Sequence, residues 1–172
     1  MSSANLSVLV GKNFVCIKIA GRANFACSPD FKTLLNELTQ KGYNHYIIDL
    51  SGCILMDSTF LGVLAGFGMK LNPNGAPAER GIELHNTTPR VSELLENLGC
   101  VHLFKLTSGV LQLPDDITAT TPDCTNPSHE QITRTCLEAH QTLMAMNPEN
   151  QARFKDVAQF LAEDLKSVEK SS

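Results

Sequence analysis

Apolar positions along this chain first alternate, then recur at helical spacing, then alternate again, and the cycle repeats. Leu6 to Val10 predicts a short strand, Gly11-Lys12-Asn13 a turn, and Phe14 to Ala20 a second β-rich run. Together they predict an antiparallel hairpin ended by Gly21. Ser28 is a natural cap, Pro29 fits a first helical position, and Phe31, Leu34, Leu35 and Leu38 form an apolar stripe as far as Gly42. Tyr46-Ile47-Ile48-Asp49-Leu50 is apolar except for Asp49, the pattern of a central strand covered on both faces. A tight loop leads to Asp57, and an apolar helix runs from there to about Leu71. The cluster Asn72-Pro73-Asn74-Gly75-Ala76-Pro77 breaks it. Gly81 to Asn86 predicts the next strand, with Glu83 turned to solvent between Ile82 and Leu84. Thr88-Pro89 opens a helix with Val91, Leu94, Leu95 and Leu98 inward, Gly99 ends it, and Val101 to Leu106 predicts a last short strand.

The order is β-β-α-β-α-β-α-β over roughly residues 5 to 107. Strands alternating with helices require crossovers and hence an α/β fold with a mostly parallel sheet, to which the opening hairpin adds an antiparallel edge. Thr107 to Ser128 then turns rich in Thr, Pro and Asp. Ser128 with Gln131 forms a capping box, and Ile132, Cys136, Leu137, His140, Leu143 and Met144 follow on one face. Asn147-Pro148 caps a second helix bearing Phe154, Val157, Ala158, Leu161, Leu165 and Val168. The expected organisation is a domain over residues 1–107, a linker over 108–127 and a C-terminal helical hairpin over 128–172. The hairpin's apolar stripes must bury against each other, the main domain, a second copy or a partner.

Composition narrows the classes. Apolar residues make up 42% of the 172, enough for a core, and charged residues 19%. A net charge of −4 without a basic block disfavours nucleic acid and anionic membranes. Phe60 to Met69 is too short to cross a bilayer, which takes about 20 residues. No export signal is read at the start, so the expected location is the cytoplasm. Six cysteines form no CxxC pair, and Cys16 and Cys53 sit among apolar residues as reduced thiols do.

The chemistry concentrates at Asp57-Ser58-Thr59. A strand-loop-helix junction places the Ser58 hydroxyl where the free N–H groups of a helix start can receive a phosphate. Ser58 is therefore a cap, a nucleophile or a phosphorylation site; Thr59 is a second hydroxyl, and Asp57 reads as a cap and loop organiser. Gly62 and Gly66, one turn apart, leave a low stripe for another backbone or for this chain's own sheet.

With its element order, the strand Tyr46 to Leu50 and the segment Asp57-Ser58-Thr59-Phe60-Leu61-Gly62-Val63-Leu64, the chain resembles the STAS family, of the anti-sigma factor antagonist type. That segment looks like the family's Asp-Ser-Ser/Thr-Gly-Leu-Gly. The resemblance implies partner switching. The unphosphorylated protein binds a partner that is both anti-sigma factor and serine kinase, phosphorylation of the residue matching Ser58 releases it, and a PP2C-type phosphatase resets the system. It also implies a partner-binding surface comprising Gly21, Arg22, Asn24, Asp57, Ser58, Thr59, Phe60 and Gly62. Phe60 stands where many members have Gly, and Asn24 replaces a frequent acid, removing one negative charge from that surface.

Other chemistry is weaker. The five histidines have no evident link in sequence to Ser58, and no Ser-His-acid set is read. Cys124, His129, Cys136 and His140 match no standard zinc spacing and read as an apolar cysteine and a half-buried histidine. No metal, no cofactor and no catalysis are expected. Two alternatives stand beside the switch: a constitutive STAS scaffold in a transport or sensory complex, and a small enzyme or nucleotide binder, for which the sequence shows no convergent set of acid, base and nucleophile. The C-terminal helices also offer a surface for a homodimer.

Overall fold

The computed structural model describes residues 4–72, 81–114, 117–122 and 125–171. Strands β1 (Asn5–Val10) and β2 (Val15–Ala23) pair antiparallel, with Val8 opposite Ile17. Alternation puts Val15, Ile17 and Ile19 in the core and leaves Lys18 and Ala20 exposed. Helix α1 (Ser28–Gln40) follows, then β3 (Tyr46–Asp49), β4 (Cys53–Met56) and helix α2 (Ser58–Leu71). Next come β5 (Ile82–His85), α3 (Pro89–Asn97), a 3-10 turn at Val101–Leu103, and β6 (Lys105–Thr107). Strand β7 (Thr118–Thr120) precedes helices α4 (His129–Met146) and α5 (Pro148–Ser171).

The sheet order is β6-β5-β3-β2-β1-β7, with β2, β3, β5 and β6 mutually parallel. This is the α/β architecture expected, with a mixed sheet and a C-terminal helical pair. Four details differ from the pattern reading. The loop before Asp57 contains β4, which runs parallel to the far end of β2 beyond a register shift at Gly21 and Arg22. Ser28 does not cap α1; Cys27 holds the cap position, and the Ser28 hydroxyl donates to the Phe25 carbonyl at 2.7 Å. Val101 to Leu106 divides into the 3-10 turn and β6. In β3, Tyr46 and Ile48 are buried while Ile47 and Asp49 are half-buried, so only one face is fully covered. Glu83 lies on that other face, half-buried, with His45 Nε2 3.7 Å from its carboxylate. Within the breaker cluster only Asn72 is described, ending α2; residues 73–77, including Gly75, lie outside the described residues.

Phe31 of α1 stacks on Phe60 of α2 with centroids 4.3 Å apart, and Tyr46 meets Phe67 edge-on at 4.9 Å. Each of these rings is buried and contributes roughly 1.5–3 kcal/mol by leaving water. The core does not stop at the sheet and its crossover helices. Leu143 of α4 and Phe154 of α5 belong to the same buried cluster. The hairpin's tip is pinned by Asn150, fully buried, whose Nδ2 donates to the carbonyls of Leu98 at 3.0 Å and Leu143 at 2.8 Å. Arg153 adds a bond to the Asn97 carbonyl at 2.8 Å. The segment between β6 and α4, read as a linker, supplies β7, which pairs antiparallel with β1 at the sheet edge.

Candidate functional site

Helix α2 starts where β4 delivers the chain to Asp57, whose backbone is extended (φ −95°, ψ 172°) while its carboxylate turns back over the helix start. Oδ1 accepts the Phe60 N–H at 2.9 Å, a helix cap. Oδ2 accepts the Phe25 N–H at 2.7 Å, and the Asp57 N–H donates to the Ala23 carbonyl at 2.9 Å. One carboxylate thus fastens the loop between β2 and α1 to the start of α2. Burial pushes the Asp57 carboxyl above its ordinary value of 3.8; the bonds from Phe60 and Phe25, and nearby His140, pull against that rise.

Ser58 is half-buried at the first position of α2. Its hydroxyl lies 3.0 Å from Nε2 of His140, a residue 82 positions further along the chain. His140 Nδ1 sits 2.6 Å from the Cys136 carbonyl oxygen. A carbonyl only accepts, so Nδ1 carries the proton, and in the neutral ring Nε2 presents a lone pair. With the ring neutral, Ser58 donates and His140 Nε2 accepts. The ring is 5% exposed and stands edge-on to Phe154 at 4.9 Å. Thr59 is buried and donates to the Cys136 sulfur at 3.6 Å, so α4 covers both hydroxyls of the junction from one side.

The remaining residues assigned to the partner surface divide into two groups. Gly21 takes φ +99° at the β2 register shift, and its N–H donates to the Gly52 carbonyl. Arg22 and Asn24 are half-buried beside it, and Asn24 Oδ1 accepts the Ala26 N–H at 3.1 Å. Gly21 and Arg22 lie at the end of β2, and Asn24 in the loop that Asp57 fastens. Phe60 and Gly62 face inward instead. Phe60 is wholly buried against Phe31, and its ring touches no outer surface. A Cβ on Gly62 would meet the Ala139 carbonyl oxygen at 2.6 Å, and one on Gly66 would meet the Thr142 side chain at 3.6 Å. The low stripe on α2 receives the backbone of α4 from the same chain.

Sequence reasoning missed two participants. His140 lies on the apolar face of its helix, and the sequence names no target for it; a histidine on such a stripe needs a polar partner, and Ser58 supplies it. Phe25 received no role, yet its side chain is 50% exposed on the loop that Asp57 holds. Ile54 of β4, 61% exposed, adds a second apolar side chain to the exterior of the adjoining strand. The metal candidates disperse. Cys136 and His140 serve Thr59 and Ser58, His129 Nε2 lies 2.9 Å from Asp164, and Cys124 falls outside the described residues. Among the described residues no three His, Cys, Asp or Glu side chains gather as a metal set. Burial pushes the thiols of Cys16 and Cys100 up to about 11 and about 12, as befits inert core cysteines.

A family model described as the STAS domain matches residues 5–112. The chain belongs to the STAS family. Within that match lie Asp57, Ser58 and the whole β1-to-β6 core; β7 and the α4–α5 hairpin lie beyond it. Two solved structures share the STAS fold. One is a Thermotoga maritima protein assigned as an anti-sigma factor antagonist, 20% identical, with a TM-score of 0.52 over 60% of this chain and 86% of that one. The other is an anti-sigma factor antagonist from Mycobacterium paratuberculosis, 17% identical, with a TM-score of 0.51 over 61% and 86%. No curated protein matches the chain. Among the described residues no helix is long and apolar enough to cross a membrane.

Proposed function

We propose that this STAS protein is an anti-sigma factor antagonist that works by partner switching. With Ser58 unmodified it binds an anti-sigma factor that is also a serine kinase; phosphate on Ser58 releases that partner, and a PP2C-type phosphatase restores the binding form. It is a binding protein of the cytoplasm, without catalysis of its own. The observation that carries the reading is a half-buried serine hydroxyl at a helix N-terminus beside a loop that exposes Phe25. Asp57 holds the two together, so a charge added at Ser58 arrives within the surface that Phe25 presents. A phosphate carries about −1.5 to −2 charges at neutral pH. Sealing it into an interface without a cation costs several kcal/mol, and each 1.4 kcal/mol is about a tenfold loss of affinity. The antagonist role of the two structural relatives agrees with this reading.

The Ser58–His140 pair could suggest a nucleophile and its base. His140 Nδ1 donates to a backbone carbonyl rather than a carboxylate, which favours a structural latch. The docked hairpin lends some weight to the scaffold alternative, because it adds surface beyond the family match. Incubating the protein with its cognate anti-sigma kinase and ATP separates the two. The switch requires one phosphate per chain and none in Ser58→Ala. Labelling that persists in Ser58→Ala, or no labelling of either chain, contradicts it.

A further inference from the structure

We propose that the α4–α5 hairpin is a latched cover over the α2 face, and that a phosphate on Ser58 lifts it. The proposal rests on the phosphorylation reading above and goes beyond it: the modified protein is a second conformation with a newly uncovered face, as well as a form that has lost a partner.

Three observations carry it. The first is the latch. With the ring neutral, Ser58 is the donor and His140 Nε2 the acceptor, because Nδ1 carries its proton toward the Cys136 carbonyl. In the kinase step the γ-phosphoryl group of ATP passes to Ser58 Oγ, the hydroxyl proton goes to a base of the kinase, and ADP leaves. The product oxygen has no proton to donate. It also carries a phosphorus and three further oxygens, and the gap to the ring is only 3.0 Å. Either the phosphoserine turns outward or the ring moves away, and in both the Oγ–Nε2 contact is lost; an ion pair between the phosphate and a protonated ring would instead hold α4 down, and is the outcome in which its exchange is unchanged or slower. The Asp57 carboxylate adds negative charge at the same spot.

The second observation is the fit beneath the latch. Ala139 lies on Gly62 so closely that no Cβ could stand between them. Close backbone packing of this kind tolerates little displacement, so a shift at His140 is felt by the adjoining residue. The third is the anchor. Asn150 and Arg153 hold the hairpin's tip to the Leu98 and Asn97 carbonyls at the end of α3, and Asn150 also bonds the Leu143 carbonyl of α4. The hairpin is therefore fixed at its tip and latched along α4, the arrangement of a hinged cover. Lifting α4 exposes the Gly62 and Gly66 stripe of α2 together with Cys136 and Ala139 of α4.

The test is amide hydrogen exchange on the full chain, with phosphoserine installed at position 58 during synthesis. Amides of residues 132–142 are expected to exchange at least tenfold faster than in the unmodified chain. Those of β3, β5 and residues 150–153 are expected to stay within about twofold. Ser58→Ala, which removes the donated bond without adding charge, is expected to speed α4 by less than phosphoserine does. Unchanged or slower exchange in α4, equal acceleration throughout the molecule, or an alanine effect as large as that of phosphoserine would each overturn the proposal. Partner affinity is read separately. Hairpin release without loss of partner binding defeats the switch alone; loss of partner binding over a motionless hairpin defeats the cover alone.

Discussion

The Asp57 carboxylate ties two elements together. Its two oxygens take N–H groups from Phe60 and Phe25, so removing it frees a helix start and a loop together. Asp57→Ala is expected to cost about 1–2 kcal/mol in chemical denaturation, chiefly the lost cap, because the Phe25 N–H lies in an exposed loop where water can replace the carboxylate. Asp57→Asn keeps a single acceptor oxygen and should lose about half as much. The sign of the pH effect follows from burial. The folded carboxyl holds its proton more tightly than the unfolded chain does, so its contribution to stability is fully present below 3.8 and is lost as pH rises through the elevated folded value. Stability of the native protein measured from pH 3 upward should carry this falling component, and Asp57→Asn should remove it. Phe60 belongs to the same scale. Its ring stacks on Phe31 at full burial, and Phe60→Ala should cost about 3–5 kcal/mol in the same measurement. That position departs from the family's usual glycine, and the departure is absorbed by the core.

At the scale of elements, the contact of α2 with α4 is the feature that the sequence pattern left open. Gly62 announced a close neighbour through its cost inside a helix, but spacing cannot say which backbone comes near. The answer lies 77 residues on, at Ala139. Gly62→Ala is expected to destabilise the hairpin's docking by about 1–3 kcal/mol through overpacking, outweighing the gain of up to about 1 kcal/mol from better helix propensity. Adding Ala139→Gly should recover only part, because the Ala139 carbonyl oxygen, at 2.6 Å from the new Cβ, remains. Thermal unfolding of the two variants checks both statements. Other elements were legible for plain reasons. Thr88-Pro89 and Ser128 with Gln131 carry their own capping chemistry, and both helices start there. Strands β4 and β7 were not legible, since each is short and owes its existence to pairing with a distant strand rather than to its own pattern.

Across the whole molecule, the order of elements and the Asp57-Ser58-Thr59 junction were enough to point to the STAS fold, because crossover topology and a helix start follow from local sequence. The relation of the C-terminal helices to that junction was not, because it depends on a hydrogen bond between Ser58 and His140 that no spacing encodes. The fold thus gathers three things at one end of α2: the half-buried Ser58 hydroxyl, the loop on which Phe25 is exposed, and the hairpin residue His140 that contacts the hydroxyl. The central claim is that charge on Ser58 decides which protein can sit against the Phe25 loop. Titration calorimetry tests it most directly, with the purified anti-sigma factor added to the full chain carrying either serine or phosphoserine at position 58. Binding by the serine form that weakens at least a hundredfold in the phosphoserine form, about 2.7 kcal/mol, is the expected result. Equal affinity of the two forms for that partner would contradict it.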